Sequence, residues 1–334
     1  MEDNMIRTIM HTAMAFLIFI ISKFNVLSSL IFRIVIWTKR LRRGVKVKYL
    51  DKEGYQFSYF TRGEPGSQPS VLMLHGFSLN KDMWLNTIKV FPKDLHFICL
   101  DLPGHGGTTR LLGESYTAVA QAKRLHQFVK CAGLNHKPFH LVGMSMGGTV
   151  AGVYAALYPT HVSSLALLSP AGVRYPNDSD FFARLRELVF SKVPLESAVV
   201  PVMEGQTENF IKLCLYQPIF INIQLLKGYL EDRRSHKMVF VKCFLDLTSS
   251  ESKYSLHDNM RKIKAPTQII WGKEDKVFDS SGAEVLAAAI HNSQVHRLEK
   301  CGHFIALERP RTAARLLLEF YKSVCDSAKH KKVA

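Results

Sequence analysis

Three residues far apart in the chain have the types needed for one reactive centre: Ser145, Asp275 and His303. Ser145 lies in Gly143-Met144-Ser145-Met146-Gly147, where an apolar run, Phe139 to Val142, meets a small-residue segment that reads as a helix. A strand turning sharply into a helix lifts the serine Oγ clear of the sheet and aims the next N–H, that of Met146, at a developing oxyanion. Glycines belong on both sides, because the serine is held in a strained conformation while neighbouring backbone passes close to it. A serine hydroxyl is a poor nucleophile until a base takes its proton, and the base needs an acid to orient it.

Both partners lie downstream. Asp275 follows the apolar run Thr267 to Trp271 in the turn Gly272-Lys273-Glu274-Asp275, and His303 follows Gln294 to Leu298 in Cys301-Gly302-His303. Each sits in a loop just past a strand-like run, at the end where open α/β sheets keep their sites. The order serine, acid, histidine is the one used on this architecture. The arrangement makes Ser145 the nucleophile, His303 the general base and Asp275 the acid that fixes the imidazole tautomer; the chemistry is acyl transfer. Glu274 is the neighbouring alternative, less favoured by its place after the strand. The loop after the preceding strand, Ser169-Pro170-Ala171-Gly172, holds no carboxylate. Among fourteen histidines, His303 stands out for the glycine before it and the final helix starting near Pro310.

A second oxyanion donor is expected from His75-Gly76-Phe77, after the run Ser70 to Leu74. Gly76 lets the chain turn inward, so the Phe77 N–H can join that of Met146 at one oxygen. His75 is read as a structural residue under this loop. His96 to Asp101 matches H-x4-D, a pattern associated with acyl transfer, but its histidine opens a buried-type strand and its aspartate a Gly-rich loop, so both are read as structural. His257-Asp258 has no partner at metal-ligand spacing and reads as solvated surface.

By composition, G-x-S-x-G arises by chance in roughly one chain of this length in ten. The weight therefore falls on the flanking periodicity and the downstream partners. The 334 residues suffice for a full core plus an insertion. Six cysteines, without CxxC spacing, suggest neither a disulfide framework nor a metal site, and favour a reducing compartment. The net charge of +16 comes with no nucleic-acid-binding motif. Part of it is local: Lys39, Arg40, Arg42, Arg43, Lys46 and Lys48 fall within ten residues, where a polybasic patch would meet anionic lipid headgroups. The mechanism needs no metal or cofactor.

That patch follows the apolar stretch Ile9 to Leu30, interrupted by Lys23. At 1.5 Å per residue the stretch reaches about 33 Å, against about 30 Å of bilayer core. One tilted span is expected, with an interfacial helix pair broken near Ser22 to Asn25 as the alternative. Glu2 and Asp3 before the stretch and basic residues after it give a type II signal anchor with the body in the cytosol. The expected location is an endosomal, lysosomal or other intracellular membrane.

The elements that position the site follow the apolar runs. Val45 to Tyr49 and Tyr55 to Thr61 form an expected antiparallel hairpin. The runs Ser70 to Leu74, His96 to Leu100, Phe139 to Val142, Leu165 to Ser169, Thr267 to Trp271 and Gln294 to Leu298 alternate with helical patterns, the first of them over Lys81 to Val90. That alternation predicts a mostly parallel central sheet with helices on both faces. The expected organisation is an anchor and basic segment over 1–41, a core over 42–171 and 264–326, a helical cap over 172–263, and a disordered tail over 327–334. Helical segments in the cap are expected over Phe181 to Phe190 and Ile219 to Leu230. Phe181, Phe182 and Leu185 either line an acyl pocket or pack the cap's own interior.

The motifs HGF, DLPGHGGT, GMSMGG, SPAG, PTQIIWGKED and CGHFIALERP, preceded by an apolar stretch and WTKRLRRG, resemble the α/β-hydrolase superfamily from about Val45 to the last helix. Within it they look most like the membrane-bound monoacylglycerol lipases of the α/β-hydrolase-domain-containing group. The resemblance implies that fold, hydrolysis of monoacylglycerols including 2-arachidonoylglycerol, Ser145, Asp275 and His303 as triad, and Phe77 and Met146 as oxyanion donors. Met144 departs from the smaller residue, such as threonine, expected there, which bears on pocket shape. The competing readings are a lysophospholipase or acyltransferase using the same triad, and a non-catalytic membrane-binding module that keeps the fold.

Overall fold

The computed structural model describes residues 27–176, 179, 213–217 and 223–333. Residues 9–26 of the expected anchor, the expected helix Phe181 to Phe190, and with it Phe181, Phe182 and Leu185, lie outside them. Among the described residues no helix is long and apolar enough to cross a membrane.

Residues 27–43 form helix α1. The hairpin follows: β1 (Lys46–Lys52) and β2 (Tyr55–Arg62) pair antiparallel up to Lys52 opposite Tyr55. The two turn residues, Glu53 and Gly54, have φ of 53° and 79°, the type I′ geometry whose twist matches the flanking strands. Then come β3 (Val71–Leu74), β4 (Phe97–Leu100), helix α2 (Ala118–Cys131), β5 (Phe139–Met144), helix α3 (Met146–Leu157) and β6 (Val162–Leu168). The described part of the expected cap carries helices α4 (Ile223–Arg234), α5 (Lys237–Thr248) and α6 (Ser255–Asn259). The chain returns with β7 (Thr267–Gly272), α7 (Gly282–Ala289), β8 (Ser293–Leu298), α8 (Ile305–Glu308) and α9 (Pro310–Val333).

The strands form one sheet in the order β1-β2-β4-β3-β5-β6-β7-β8. From β4 to β8 every pairing is parallel; β2 meets β4 antiparallel. Every residue of β3, β4 and β5 is buried, as expected of strands covered on both faces. The parallel register decides where the site falls. Leu74 lies beside Gly143, Met144 beside Leu168 and Gly272 beside Leu298. The strands therefore end together, and the loops holding Phe77, Ser145, Asp275 and His303 leave from one edge.

Two expectations are corrected. Lys81 to Val90 is not one helix but two short 3-10 turns, Lys81–Leu85 and Ile88–Val90. Side chains capture the first N–H groups: Asp101 Oδ1 accepts from Lys81 N–H at 2.7 Å and Asn80 Oδ1 from Asp82 N–H at 3.0 Å. Residues 327–333, expected as a disordered tail, continue α9. The segment has no proline or glycine, and Lys329 and His330 put basic groups at the negative end of the helix dipole.

Candidate active site

Ser145 joins β5 to α3 with φ 55° and ψ −121°, a region that non-glycine residues occupy only under constraint. The constraint is close backbone packing. A Cβ on Gly143 would stand 2.2 Å from Gly147 O, and one on Gly147 would stand 2.4 Å from His75 O. Ser145 N–H also donates to Leu168 O on β6 at 2.9 Å. The strained serine is thus fixed by the sheet on one side and by glycine contacts on the other.

His303, buried in the loop after β8, brings Nε2 within 2.9 Å of Ser145 Oγ and Nδ1 within 2.9 Å of Asp275 Oδ2. Asp275 Oδ1 accepts the N–H groups of Val277 (2.8 Å) and Phe278 (3.0 Å), so its rotamer is set by backbone and Oδ2 is left for the imidazole. The Phe278 ring meets His303 edge-on at 5.1 Å and the Phe304 ring lies 5.6 Å away. Apolar walls of this kind strengthen the charge–dipole interactions inside. The line Asp275–His303–Ser145 can accept the serine proton at Nε2 while Nδ1–H donates to the carboxylate.

Glu274, the alternative acid, does not reach the imidazole; its Oε2 accepts the Cys301 N–H at 2.9 Å. Glu308, which the sequence did not single out, accepts from Gly302 N–H at 2.7 Å and Tyr216 N–H at 2.9 Å. Burial raises its pKa, against the pull of these backbone donors. Phe304 N–H donates to Cys214 O at 3.1 Å. Two carboxylates and the segment at Cys214 therefore hold the loop on which His303 sits.

The loop expected to supply the second oxyanion donor borders the serine. A Cβ on Gly76 would lie 3.3 Å from Ser145 Cβ and 3.5 Å from Met144 Cε, so the departure at Met144 places its methyl under this loop. Met146 is the first residue of α3, where an N–H has no partner within the helix. Ser78 adopts φ 62°, and the Tyr229 hydroxyl on α4 donates to its carbonyl. The Phe77 ring packs on Phe240 and Phe244 of α5, at 6.4 and 5.7 Å.

The residues read as structural have structural partners. His75 is fully buried; Nδ1 meets Gly76 O at 2.8 Å and Nε2 accepts Leu102 N–H at 2.9 Å. Burial lowers its pKa, matching a neutral ring. Asp101 forms a buried ion pair with Lys81 at 2.5 Å and accepts Gly107 N–H at 2.9 Å. His96 Nδ1 lies 2.7 Å from Ser70 Oγ. Asp258 lies 3.8 Å from Arg174, and His257 Nδ1 accepts the Arg174 N–H at 3.4 Å. Among the described residues no group of three or more His, Cys, Asp or Glu side chains could hold a metal ion. The basic patch is partly spent on the fold: Arg40 grips Asp82 with two bonds of 2.7 and 2.6 Å, and Arg43 Nε donates to Leu85 O at 3.2 Å.

A mostly parallel sheet with a strained serine at the C-terminal end of a central strand, in contact with a histidine that in turn meets an aspartate, defines an α/β serine hydrolase. The chain belongs to the alpha/beta hydrolase fold family, whose sequence profile matches residues 69–310. It is 49% identical to monoacylglycerol lipase ABHD6 of Rattus norvegicus over 94% of this chain and 93% of the relative. It is 50% identical to monoacylglycerol lipase abhd6-B of Xenopus laevis, covering 90% and 89%. The crystal structure of a membrane phospholipase A, a bacterial virulence factor, superposes with a TM-score of 0.79 at 29% identity, covering 89% of this chain and 92% of the other.

Proposed function

We propose that this chain is a membrane-associated monoacylglycerol lipase, cleaving fatty-acid esters of glycerol, 2-arachidonoylglycerol among them, through Ser145, His303 and Asp275. The observation that carries the reading is the unbroken 2.9 Å and 2.9 Å contact line from Asp275 through His303 to Ser145. The substrate class comes from the relatives' activity.

Ser145 Oγ attacks the ester carbonyl while His303 Nε2 takes its proton, and Asp275 stabilises the imidazolium. The Phe77 and Met146 N–H groups stabilise the tetrahedral oxyanion, each such donor being worth about 2.7–4 kcal/mol of barrier. Collapse breaks the bond to the glycerol oxygen, which leaves with the proton from His303, and the acyl chain stays on Ser145. Water, deprotonated by His303, then attacks the acyl-enzyme, releases the fatty acid and restores the serine. The segment 172–263 acts as the cap, with Phe181, Phe182 and Leu185 as acyl-pocket candidates. Residues 9–30 act as a type II signal anchor in an intracellular membrane with the body cytosolic, letting substrate enter from the bilayer.

Membranes expressing the wild-type chain release fatty acid from a monoacylglycerol, and membranes expressing Ser145→Ala do not. Equal release from both would sink the triad. A second reading, hydrolysis of phospholipid esters, is favoured by the likeness to a phospholipase A; release from lysophosphatidylcholine but not from monoacylglycerol would put it first.

A further inference from the structure

Helix α1 shows two unlike faces. One is docked. Ser28 O and Phe32 Cβ approach Gly228 of α4 so closely that a Cβ there would stand 2.1 and 2.6 Å from them. The Phe32 ring meets Tyr229 edge-on at 5.8 Å. The Arg40 and Arg43 bonds to Asp82 and Leu85 clamp the far end. Opposite this face Leu27, Leu30, Ile31, Ile34, Trp37 and Leu41 all stand exposed, Trp37 at 61% and Leu41 at 66%. At 3.6 residues per turn these six fall within an arc of about 120°.

A continuous apolar stripe of this length on a docked helix calls for an apolar partner. Three observations select a lipid surface. Arg33 and Arg42 border the stripe on its two sides by the same helical spacing, and exposed Lys46 and Lys48 follow, a pattern complementary to anionic headgroups. Trp37 is amphipathic and suited to the headgroup boundary. In sequence, the apolar stretch that starts at Ile9 runs directly into the stripe.

We propose that α1 from Ile31 onwards lies in the plane of the membrane interface, with Ile31, Ile34, Trp37 and Leu41 in the acyl boundary of an anionic bilayer and Leu27 and Leu30 forming the end of the anchor. The inference rests on the membrane association argued above and adds a second, interfacial contact to the anchor. Its docked face carries the consequence: Phe32 packs on Tyr229, whose hydroxyl holds the Ser78 carbonyl beside Phe77. Lipid contact through α1 thus sets α4 and the Phe77 loop at the level from which substrate leaves the bilayer.

Trp37 makes this measurable, because the other two tryptophans, Trp84 and Trp271, are fully buried. The full-length protein is bound to phosphatidylcholine–phosphatidylserine vesicles with brominated acyl chains and recovered by flotation. The expected result is flotation with partial quenching of tryptophan emission, the quenched component disappearing in Trp37→Phe. A full-length variant carrying Ile34→Ser, Trp37→Ser and Leu41→Ser is expected to lose activity several-fold on vesicle-embedded monoacylglycerol and to keep it on a water-soluble short-chain ester. Flotation with unquenched, red-shifted Trp37 emission overturns the interfacial helix and leaves the anchor standing. Flotation with unquenched but blue-shifted emission overturns it in favour of cover by protein, such as a second copy. Failure to float removes membrane association, and this inference with it.

Discussion

Glu308 accepts the Gly302 N–H at 2.7 Å, one peptide before His303, and with its other oxygen accepts the Tyr216 N–H at 2.9 Å. One carboxylate thus ties the loop of the candidate base to the segment around Tyr216, in the proposed cap. In Glu308→Gln one oxygen still accepts, but an amide NH2 faces a backbone N–H. An unsatisfied buried donor costs about 1–3 kcal/mol, and we expect that loss in urea unfolding together with a fall in kcat. Unchanged kcat with lowered stability would make Glu308 a purely structural clamp.

The neighbours Glu274 and Asp275 supply a sharper contrast. Asp275 Oδ2 meets the imidazole while Glu274 Oε2 meets only the Cys301 N–H. Asp275→Asn keeps the shape but favours the wrong tautomer, and the expected fall in kcat is about 10⁴-fold. Glu274→Gln keeps an oxygen that can accept the Cys301 N–H, so the expected fall in kcat is small, about tenfold or less. Equal losses in steady-state kinetics would refute the assignment of the acid.

What the sequence made legible is what local pattern controls. The strands appear as apolar runs, and β5 running into glycine-flanked Ser145 marks the elbow, because those features depend on residues adjacent in the chain. The chain order of Ser145, Asp275 and His303 carries the rest of the candidate triad, which the fold brings into one contact line. Illegible were contacts set by tertiary proximity: Glu308 on Gly302, Tyr229 on Ser78, and Arg40 on Asp82, forty-two residues apart. Equally illegible was the break of Lys81 to Val90 into two 3-10 turns, the first of them tied to Asp101 at the end of β4 through the Lys81 N–H.

Tyr229 tests whether α4 supports the oxyanion loop. Its hydroxyl donates to the Ser78 carbonyl, next to Phe77, the proposed oxyanion donor. Tyr229→Phe removes that bond and little else, about 0.5–1.5 kcal/mol, which predicts a two- to tenfold lower kcat. KM for a short soluble ester should move little. A change confined to KM would instead place Tyr229 in substrate binding.

Buried histidines away from the triad predict how stability depends on pH. His140 lies under the Tyr321 ring, 4.2 Å between centroids, with Nδ1 bonded to Ser164 Oγ, and burial pushes its pKa down to about 3. His75 and His105 are fully buried and shifted downward by the same cause. A histidine held neutral in the fold but free to charge in the unfolded chain gives the unfolded state the extra proton on acidification. Its stabilisation is therefore full above the unfolded pKa of about 6.5 and is lost as pH falls towards the folded value. Each such group costs about 1.4 kcal/mol per pH unit in that window. Urea unfolding of wild type and His140→Gln at about pH 6.5 and about pH 5 reads the difference directly. We expect the variant to start less stable and to lose less on acidification, by about one histidine's share; parallel losses would mean that His140 is already charged or still accessible to protons in the fold.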